Sequence, residues 1–360
     1  MSTKIFTKCA SGFLVFVIIM GVVISCRKND LHFFLNGYQQ VNLVSDTMGF
    51  GAAIIDPNLV NAWGIAEAPT GPIWISSNGP GLSTIYNDEG MTLRTPVAIP
   101  SPDSTGGGTP SGVVFNATTD FSFWDGKNLT ASKFIFATED GIVAAWGGGG
   151  AATAVVNNFS TNAVYKGLAI ASDGGANFLY VTNFKQSRID VFDKNFNPVV
   201  GRPFQDPGIP GDYGPFNIRN IGGWLYITYA KHLAPDNHDD QAGPGNGFVD
   251  VFTPAGMWVK RFASHGTLNS PWGIVEATAG FSDMSVNAIL VGNFGDGRIN
   301  VFDMDGGFRG QLQDHGHPIA IDGLWAIDNH LPTVDSTLLY FTAGPDGENH
   351  SLFGYLQKKH

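Results

Sequence analysis

The chain has 360 residues, of which 43% are hydrophobic, 12% aromatic and only 14% charged, with a formal charge of −11. That acidic balance argues against nucleic acid as a partner, and against an anionic membrane surface as something the body itself would seek. Forty-seven glycines and the near absence of helical periodicity indicate many short strands joined by tight turns, in a chain long enough to build a sizeable core.

Lys4 and Lys8 precede an apolar run from about Phe13 to Ile24, and the charged stretch Arg27-Lys28-Asn29-Asp30 follows. The run is short for a bilayer span and has the order of an export signal. It ends in Val23-Ile24-Ser25-Cys26, which resembles a bacterial lipobox. The resemblance implies a signal peptide over 1–25, cleavage before Cys26, acylation of Cys26 and a tether over 26–37. Cys9 would leave with the signal, so no disulfide is expected in the mature chain. Losing Lys4 and Lys8 leaves 18 basic against 31 acidic residues, a formal −13. Position 27 is Arg rather than Asp, so resemblance to Gram-negative sorting implies an outer-membrane location, on the periplasmic side or the cell surface.

The first strand-like segment, "YQQVNLVSD" (38–46), has no copy of its own, and six related units follow. The first reads Trp63-Gly64-Ile65, "IWISS" (73–77) and "STIYNDEG" (83–90); the second reads Ser111-Gly112-Val113 and "FIFAT" (134–138). The third has Lys166-Gly167-Leu168, "LYVTN" (179–183) and "RIDVFDKN" (188–195). The fourth has Pro215-Phe216-Asn217-Ile218, "LYITY" (225–229) and "FVDVFTPAG" (248–256). The fifth repeats Trp272-Gly273-Ile274, "ILVGN" (289–293) and "RINVFDMDG" (298–306). The sixth has Leu324-Trp325-Ala326-Ile327, "LYFTA" (339–343) and "SLFGYLQ" (351–357), where it stops one strand short.

A period of roughly fifty residues repeated six times is the signature of an all-β, six-bladed β-propeller over 38–357. A β-sandwich would show cleaner in–out alternation and no such repeat. The segment 38–46 is expected to complete the last blade and close the ring, since an open ring leaves a bare sheet edge. The "WGI … LYVTN … RIxVFD" pattern resembles the NHL-type propellers. The combination of "LVSD", "NAWGIA" and "SPWGI" is similar to an uncharacterised family of exported bacterial propeller proteins. This resemblance implies a fold and almost no chemistry.

In such a fold the first strand of each blade begins, and the second ends, at the mouth of the central channel. That places Asn61, Lys166, Asn269 and Asp322 at first-strand starts, and Asn78, Glu139, Asp140, Asn183 and Asn293 at second-strand ends. A convergent ring of amide and carboxylate oxygens is what Ca²⁺ takes. The longest insertion, 231–247, offers His232, Asp236, His238, Asp239 and Asp240, a mixture suited to Zn²⁺ or Mn²⁺ as well as to a solvated turn-rich loop. His315 and His317 could share one face of an extended segment, but "SHG" (264–266) at the matching place suggests a repeated turn. "NDEG", "TPAG" and "DMDGG" at one repeat position are expected to be hairpin turns.

No Gly-x-Ser-x-Gly, His-Glu-x-x-His or dinucleotide fingerprint is present. The leading expectation is therefore a lipid-anchored propeller that binds a small molecule, a glycan or a cell-envelope protein. The alternative is a calcium-dependent hydrolase of lactonase type at the channel mouth; its resemblance is architectural and carries no ligand set. Glycan binding would require a tryptophan uncovered on the mouth face.

Overall fold

The computed structural model describes Met1 and residues 35–103, 107–277, 281 and 287–359; the signal segment and Cys26 lie outside the described residues. Six sheets, antiparallel except where Tyr38–Ser45 pairs parallel with Ile54–Ile55, follow one another around an axis. The first blade is built from Ala62–Glu67, Ile73–Ser77, Leu82–Tyr86 and Val97–Ala98, and the second from Pro110–Phe115, Phe134–Thr138, Ile142–Trp146 and Thr153–Asn157. The third has Tyr165–Asp173, Ala176–Asn183 and Arg188–Phe192; the fourth has Tyr213–Ile221, Trp224–Lys231, Phe248–Phe252 and Trp258–Ser264. The fifth has Pro271–Ala277, Ala288–Asn293, Ile299–Phe302 and Phe308–Gln311. The sixth, Leu324–Asp328, Leu339–Ala343 and Leu352–Lys358, is completed by Tyr38–Ser45 and Ile54–Ile55.

The ring is closed as the truncated sixth repeat requires. Tyr38–Ser45 pairs antiparallel with Leu352–Lys358, with Tyr38 opposite Lys358 and Ser45 opposite Leu352. No bare edge remains at the junction, because the chain's own start supplies the missing strand.

The hydrophobic material is layered between blades. Ile227, Leu225 and Phe252 of the fourth blade pack with Tyr180 and Val191 of the third, while Val249 and Val251 on the other face of the same sheet pack with Ile274, Ile289 and Val291 of the fifth. Second strands such as "FIFAT" and "IWISS" are therefore buried along their whole length, and their weak alternation follows.

Two recurring residues acquire a physical reason. The glycines of the "WGI"-type starts lie where neighbouring first strands approach around the axis. A Cβ on Gly64 would stand 2.7 Å from Ser111 O and Val113 N, and one on Gly273 would stand 2.7 Å from Trp325 O. The threonine of "LYVTN", "LYITY" and "LYFTA" repairs an irregular register in each first strand. Gly167 N donates to Thr182 Oγ1 at 2.7 Å, Asn217 N to Thr228 Oγ1 at 3.0 Å and Ala326 N to Thr342 Oγ1 at 3.1 Å. Thr342 then donates to Trp63 O of the next blade and Thr182 to Phe216 O, so these two hydroxyls satisfy a backbone group and join two sheets.

The predicted hairpin turns are present. Asn87 Oδ1 accepts from Glu89 N (3.1 Å) and Met91 N (2.7 Å), Thr253 Oγ1 from Met257 N (3.1 Å), and Asp303 Oδ1 from Asp305 N (3.0 Å) and Gly307 N (2.8 Å). Asp303 is thus consumed by its own turn. His265 and His315 both adopt positive φ before a glycine, as a shared turn element demands.

Candidate functional site

Because first strands start and second strands end on one side of the disc, polar residues distant in sequence meet there. At the centre stands Lys166, only 2% exposed. Its Nζ donates to Glu139 Oε1 and lies 3.6 Å from Asp239 Oδ1. The Trp63 and Phe184 ring centroids are 5.0 and 5.8 Å from the same nitrogen, which gives the ammonium two aromatic walls. Burial pulls the Lys166 pKa down, but Glu139, Asp239 and Asp240 together outweigh it and leave the pKa above its ordinary value.

The other carboxylates are held in turn. Asn78 Nδ2 donates to Glu139 Oε2 at 2.8 Å. Asn61 Nδ2 donates to Glu348 Oε2 at 2.7 Å, while Asn61 Oδ1 accepts from Trp325 Nε1 at 3.2 Å. Burial raises the carboxyls of Glu348 and Asp240 above the usual range. His238 Nδ1 lies 2.8 Å from Asp239 Oδ1; this contact raises the imidazole and lowers the Asp239 carboxyl to about 2. Asp239 remains 63% exposed, so the cluster opens to solvent on its side.

Below the cluster the channel is filled by aromatic rings. Trp63 stacks on Trp325 at 3.5 Å, Trp325 on Phe294 at 3.9 Å, and Trp272 meets both tryptophans edge-on at 6.1 and 5.8 Å. From the other end a cavity of about 230 Å³ enters the axis, lined by Glu67, Phe115, Leu168, Arg219, Asp328 and His330. There Arg219 Nη2 donates to Asp328 Oδ2 at 2.5 Å.

The remaining candidates are employed elsewhere. Asn183 Nδ2 donates to Gln186 and Asp190, and Asn293 Nδ2 to Thr267 O and Asp296, which ties each into its own blade. Asp140 Oδ2 accepts from Thr109 N at 3.0 Å, and Asp322 Oδ2 from Asp346 N at 2.9 Å. Asn269 Oδ1 accepts from Gly243 N at 2.6 Å and anchors the long loop. A calcium ring would need at least three of Asn61, Glu139, Asp140, Asn183, Asn293 and Asp322 to converge; Asn61 and Glu139 reach the mouth cluster, in separate pairs, and the other four do not join them. Strand ends at one rim need not aim inward; short polar side chains there close their own turns instead.

In the 231–247 loop, His232 is buried with Nε2 2.8 Å from Phe184 O, and burial lowers its pKa. Asp236 pairs with Lys185 at 2.7 Å on the surface. Only His238, Asp239 and Asp240 turn toward Lys166. Among the described residues, ligating atoms of Glu139, His238 and Asp239 lie within 4.8 Å of one another. The axial tryptophans Trp63, Trp272 and Trp325 are covered, at 1%, 4% and 1% exposure, so the uncovered tryptophan that glycan binding at the mouth would require is absent among the described residues.

Glu348 was missed by sequence reasoning. It lies in the loop joining the second and third strands of the sixth blade, and no repeat copy marks it. Its partner Asn61 is 287 residues away and is brought near by ring closure.

No family model matches the chain. Among solved structures, the fold is similar to the GH93 α-L-arabinofuranosidase of Fusarium graminearum (TM-score 0.56, 12% identity, 89% of this chain and 97% of that one) and to the soluble aldose sugar dehydrogenase of Escherichia coli (0.55, 11%, 89% and 100%). A streptogramin B lyase gives a TM-score of 0.52 at 13% identity, over 89% and 97% of the two chains. At such identities these likenesses show the propeller fold alone. In sequence, the uncharacterised protein L690 of Acanthamoeba polyphaga mimivirus is 36% identical over 331 residues, covering 89% of this chain and 86% of that protein. The uncharacterised protein R648 of the same virus is 35% identical over 319 residues, covering 85% and 77%. The described chain is a six-bladed β-propeller, and it belongs to the family of these mimivirus proteins.

Proposed function

We propose that the protein is an exported ligand-binding module, anchored by a lipid on Cys26, whose channel mouth takes a small molecule bearing positive charge. The observation that carries the binding reading is the gathering of Glu139, Asp239, Asp240 and Glu348 about the single ammonium of Lys166, with Asp239 left open to solvent. The four acids outnumber Lys166 and the His238 imidazole that Asp239 holds, and this excess of carboxylate is what a cationic ligand complements. The Cys26 anchor is supported by the order of lysines, apolar run and Val-Ile-Ser-Cys in the sequence.

One observation favours a second reading, a divalent-cation site serving hydrolysis. Glu139, His238 and Asp239 offer an oxygen–nitrogen–oxygen set within 4.8 Å. A cation there would have to displace Lys166 from Glu139 and find His238 unprotonated. It would then be able to polarise a carbonyl of a lactone-type substrate.

The test is the melting temperature of the purified chain with putrescine, Ca²⁺ or Zn²⁺ at constant ionic strength. Binding to the folded state alone at a hundredfold excess over Kd stabilises by about 2.7 kcal/mol, roughly 4 °C for a domain of this size. A shift with putrescine that Asp239→Asn abolishes supports the first reading. A shift with a metal alone supports the second, and no shift with any probe refutes both.

A further inference from the structure

The sheet of the third blade has three strands where the fourth has four, and after Phe192 the chain returns through irregular residues to Tyr213, the start of the fourth blade. Part of that return lies in the gap between the two blades. Phe204, Ile209 and Tyr213 pack with Tyr180 and Val191 of the third blade and with Ile227 and Phe252 of the fourth. The irregular segment covers the gap without filling it, and leaves a cavity of about 360 Å³ walled by Phe204, Pro207, Pro210 and Tyr213. Small-molecule pockets have volumes of about 300–1,000 Å³. The two prolines fix φ in their stretch, and Phe204 N donates to Gly256 O at 3.0 Å, so the wall is held in place.

The polar end of the cavity comes from the fourth blade. Ile227 lies opposite Asp250, and Asp250 opposite Arg261, so Tyr229, Asp250 and Arg261 share the sheet face turned to the third blade. Arg261 donates to Asp250 Oδ1 and to Asp206 Oδ2, and Asp206, which lines the cavity, also accepts from Gly208 N at 2.7 Å. Two groups are left unmet. Tyr229 lines the cavity, is only 6% exposed, and among the described residues its hydroxyl has no hydrogen-bond partner. Asp250 Oδ2, wholly buried in the same cluster, has none either. Buried polar groups in native proteins are nearly always paired, and leaving one unmet costs about 1–3 kcal/mol.

Charge narrows the choice of partner. Arg261 offsets Asp206, and the pairs around the cavity cancel: Arg188 with Asp190 at 2.6 Å, Lys185 with Asp236 at 2.7 Å and Lys231 with Asp212 at 3.6 Å. Burial holds the Asp250 carboxyl up at about 7, so it adds less than a full charge near neutrality. That balance favours neither an anion nor a strong cation. The groups at the wall can both donate and accept, Tyr229 through its hydroxyl and Asp206 through carboxylate lone pairs beyond the two in use. Aromatic rings and prolines stand beside them as apolar surface. Hydroxyls spaced around a small carbon ring match that combination.

We propose that this cavity binds a neutral polyol of monosaccharide size, its hydroxyls meeting Tyr229 Oη and Asp206 and its C–H face lying against Phe204 and Tyr213. The site shares no lining residue with the Lys166 cluster and does not rest on the reading of the mouth.

The test is saturation-transfer NMR of the full chain with D-glucose, D-galactose, D-mannose and L-arabinose, followed by calorimetric titration of any sugar that responds. Tyr229→Phe removes one oxygen and no hydrogen bond of the free protein. Its melting temperature is expected to equal or exceed that of wild type, while its affinity for the sugar falls about tenfold, as expected for one hydrogen bond. Asp239→Asn, at the mouth, is expected to bind the sugar as wild type does. Absence of transfer to all four sugars overturns the proposal. So does affinity unchanged in Tyr229→Phe, affinity lost in Asp239→Asn, or a lowered melting temperature in Tyr229→Phe, which would mean that the hydroxyl already has a partner.

Discussion

Replacing Lys166 by methionine removes the one positive charge from a site crowded with carboxylates while nearly preserving the side chain's length. Lys166 is 2% exposed and donates directly to Glu139. Breaking a buried pair by deleting one partner costs about 3–5 kcal/mol, because the other charge is stranded. Asp239 stands 3.6 Å away but is 63% exposed, so solvent screens it and its loss adds about 1 kcal/mol or less. Some 320 ordered residues give an unfolding entropy near 0.7 kcal/mol per degree, so a loss of about 4 kcal/mol lowers the melting temperature by about 6 °C. Adding Glu139→Gln removes the stranded charge and retains an amide oxygen for Asn78. The double variant is therefore expected to recover at least half the loss in urea unfolding. A Lys166→Met protein within about 1 kcal/mol of wild type, or a double variant no more stable than the single one, would refute the reasoning.

Two further predictions concern the scaffold. Asp250 is fully buried; its Oδ1 accepts from Arg261, which also holds Asp206, and burial pushes its pKa up to about 7. A carboxyl raised in the folded state stabilises fully below its unfolded value near 3.8, and that contribution is lost as pH rises through about 7. Asp250→Asn imitates the protonated form, so its stability should be flatter than wild type between about pH 4 and pH 7; equal slopes in urea titrations would contradict this. A Cβ on Gly64 meets two backbone atoms at 2.7 Å, whereas one on Gly148 meets nothing within 4 Å. Gly64→Ala should lose about 2 kcal/mol or more and Gly148→Ala almost nothing, read as denaturation midpoints.

Much of the fold was legible because a propeller writes its geometry as a repeat. The glycine of "WGI" and the threonine of "LYVTN" serve the same neighbours in several blades, so their spacing carries the architecture. The missing fourth strand of the last copy was equally readable, since Tyr38–Ser45 had no blade of its own. The candidate site was legible only in part. Topology named the rim, and Asn61, Asn78, Glu139, Lys166 and Asp239 do meet there. Asn183, Asn293, Asp140 and Asp322 share that rim but bond their own loops, a matter of side-chain direction that residue type does not encode. Glu348 belongs to an unrepeated loop, and periodicity is silent about such residues.

The account turns on the acidic mouth around Lys166 being a binding site, and the most direct measurement is a crystal structure of the full chain soaked with putrescine. The account predicts difference density between Asp239, Glu139 and Glu348, with an amine nitrogen of the ligand within hydrogen-bonding distance of at least one of their carboxylates. Density only at other acidic surface sites, or an unchanged mouth at saturating putrescine, would contradict it.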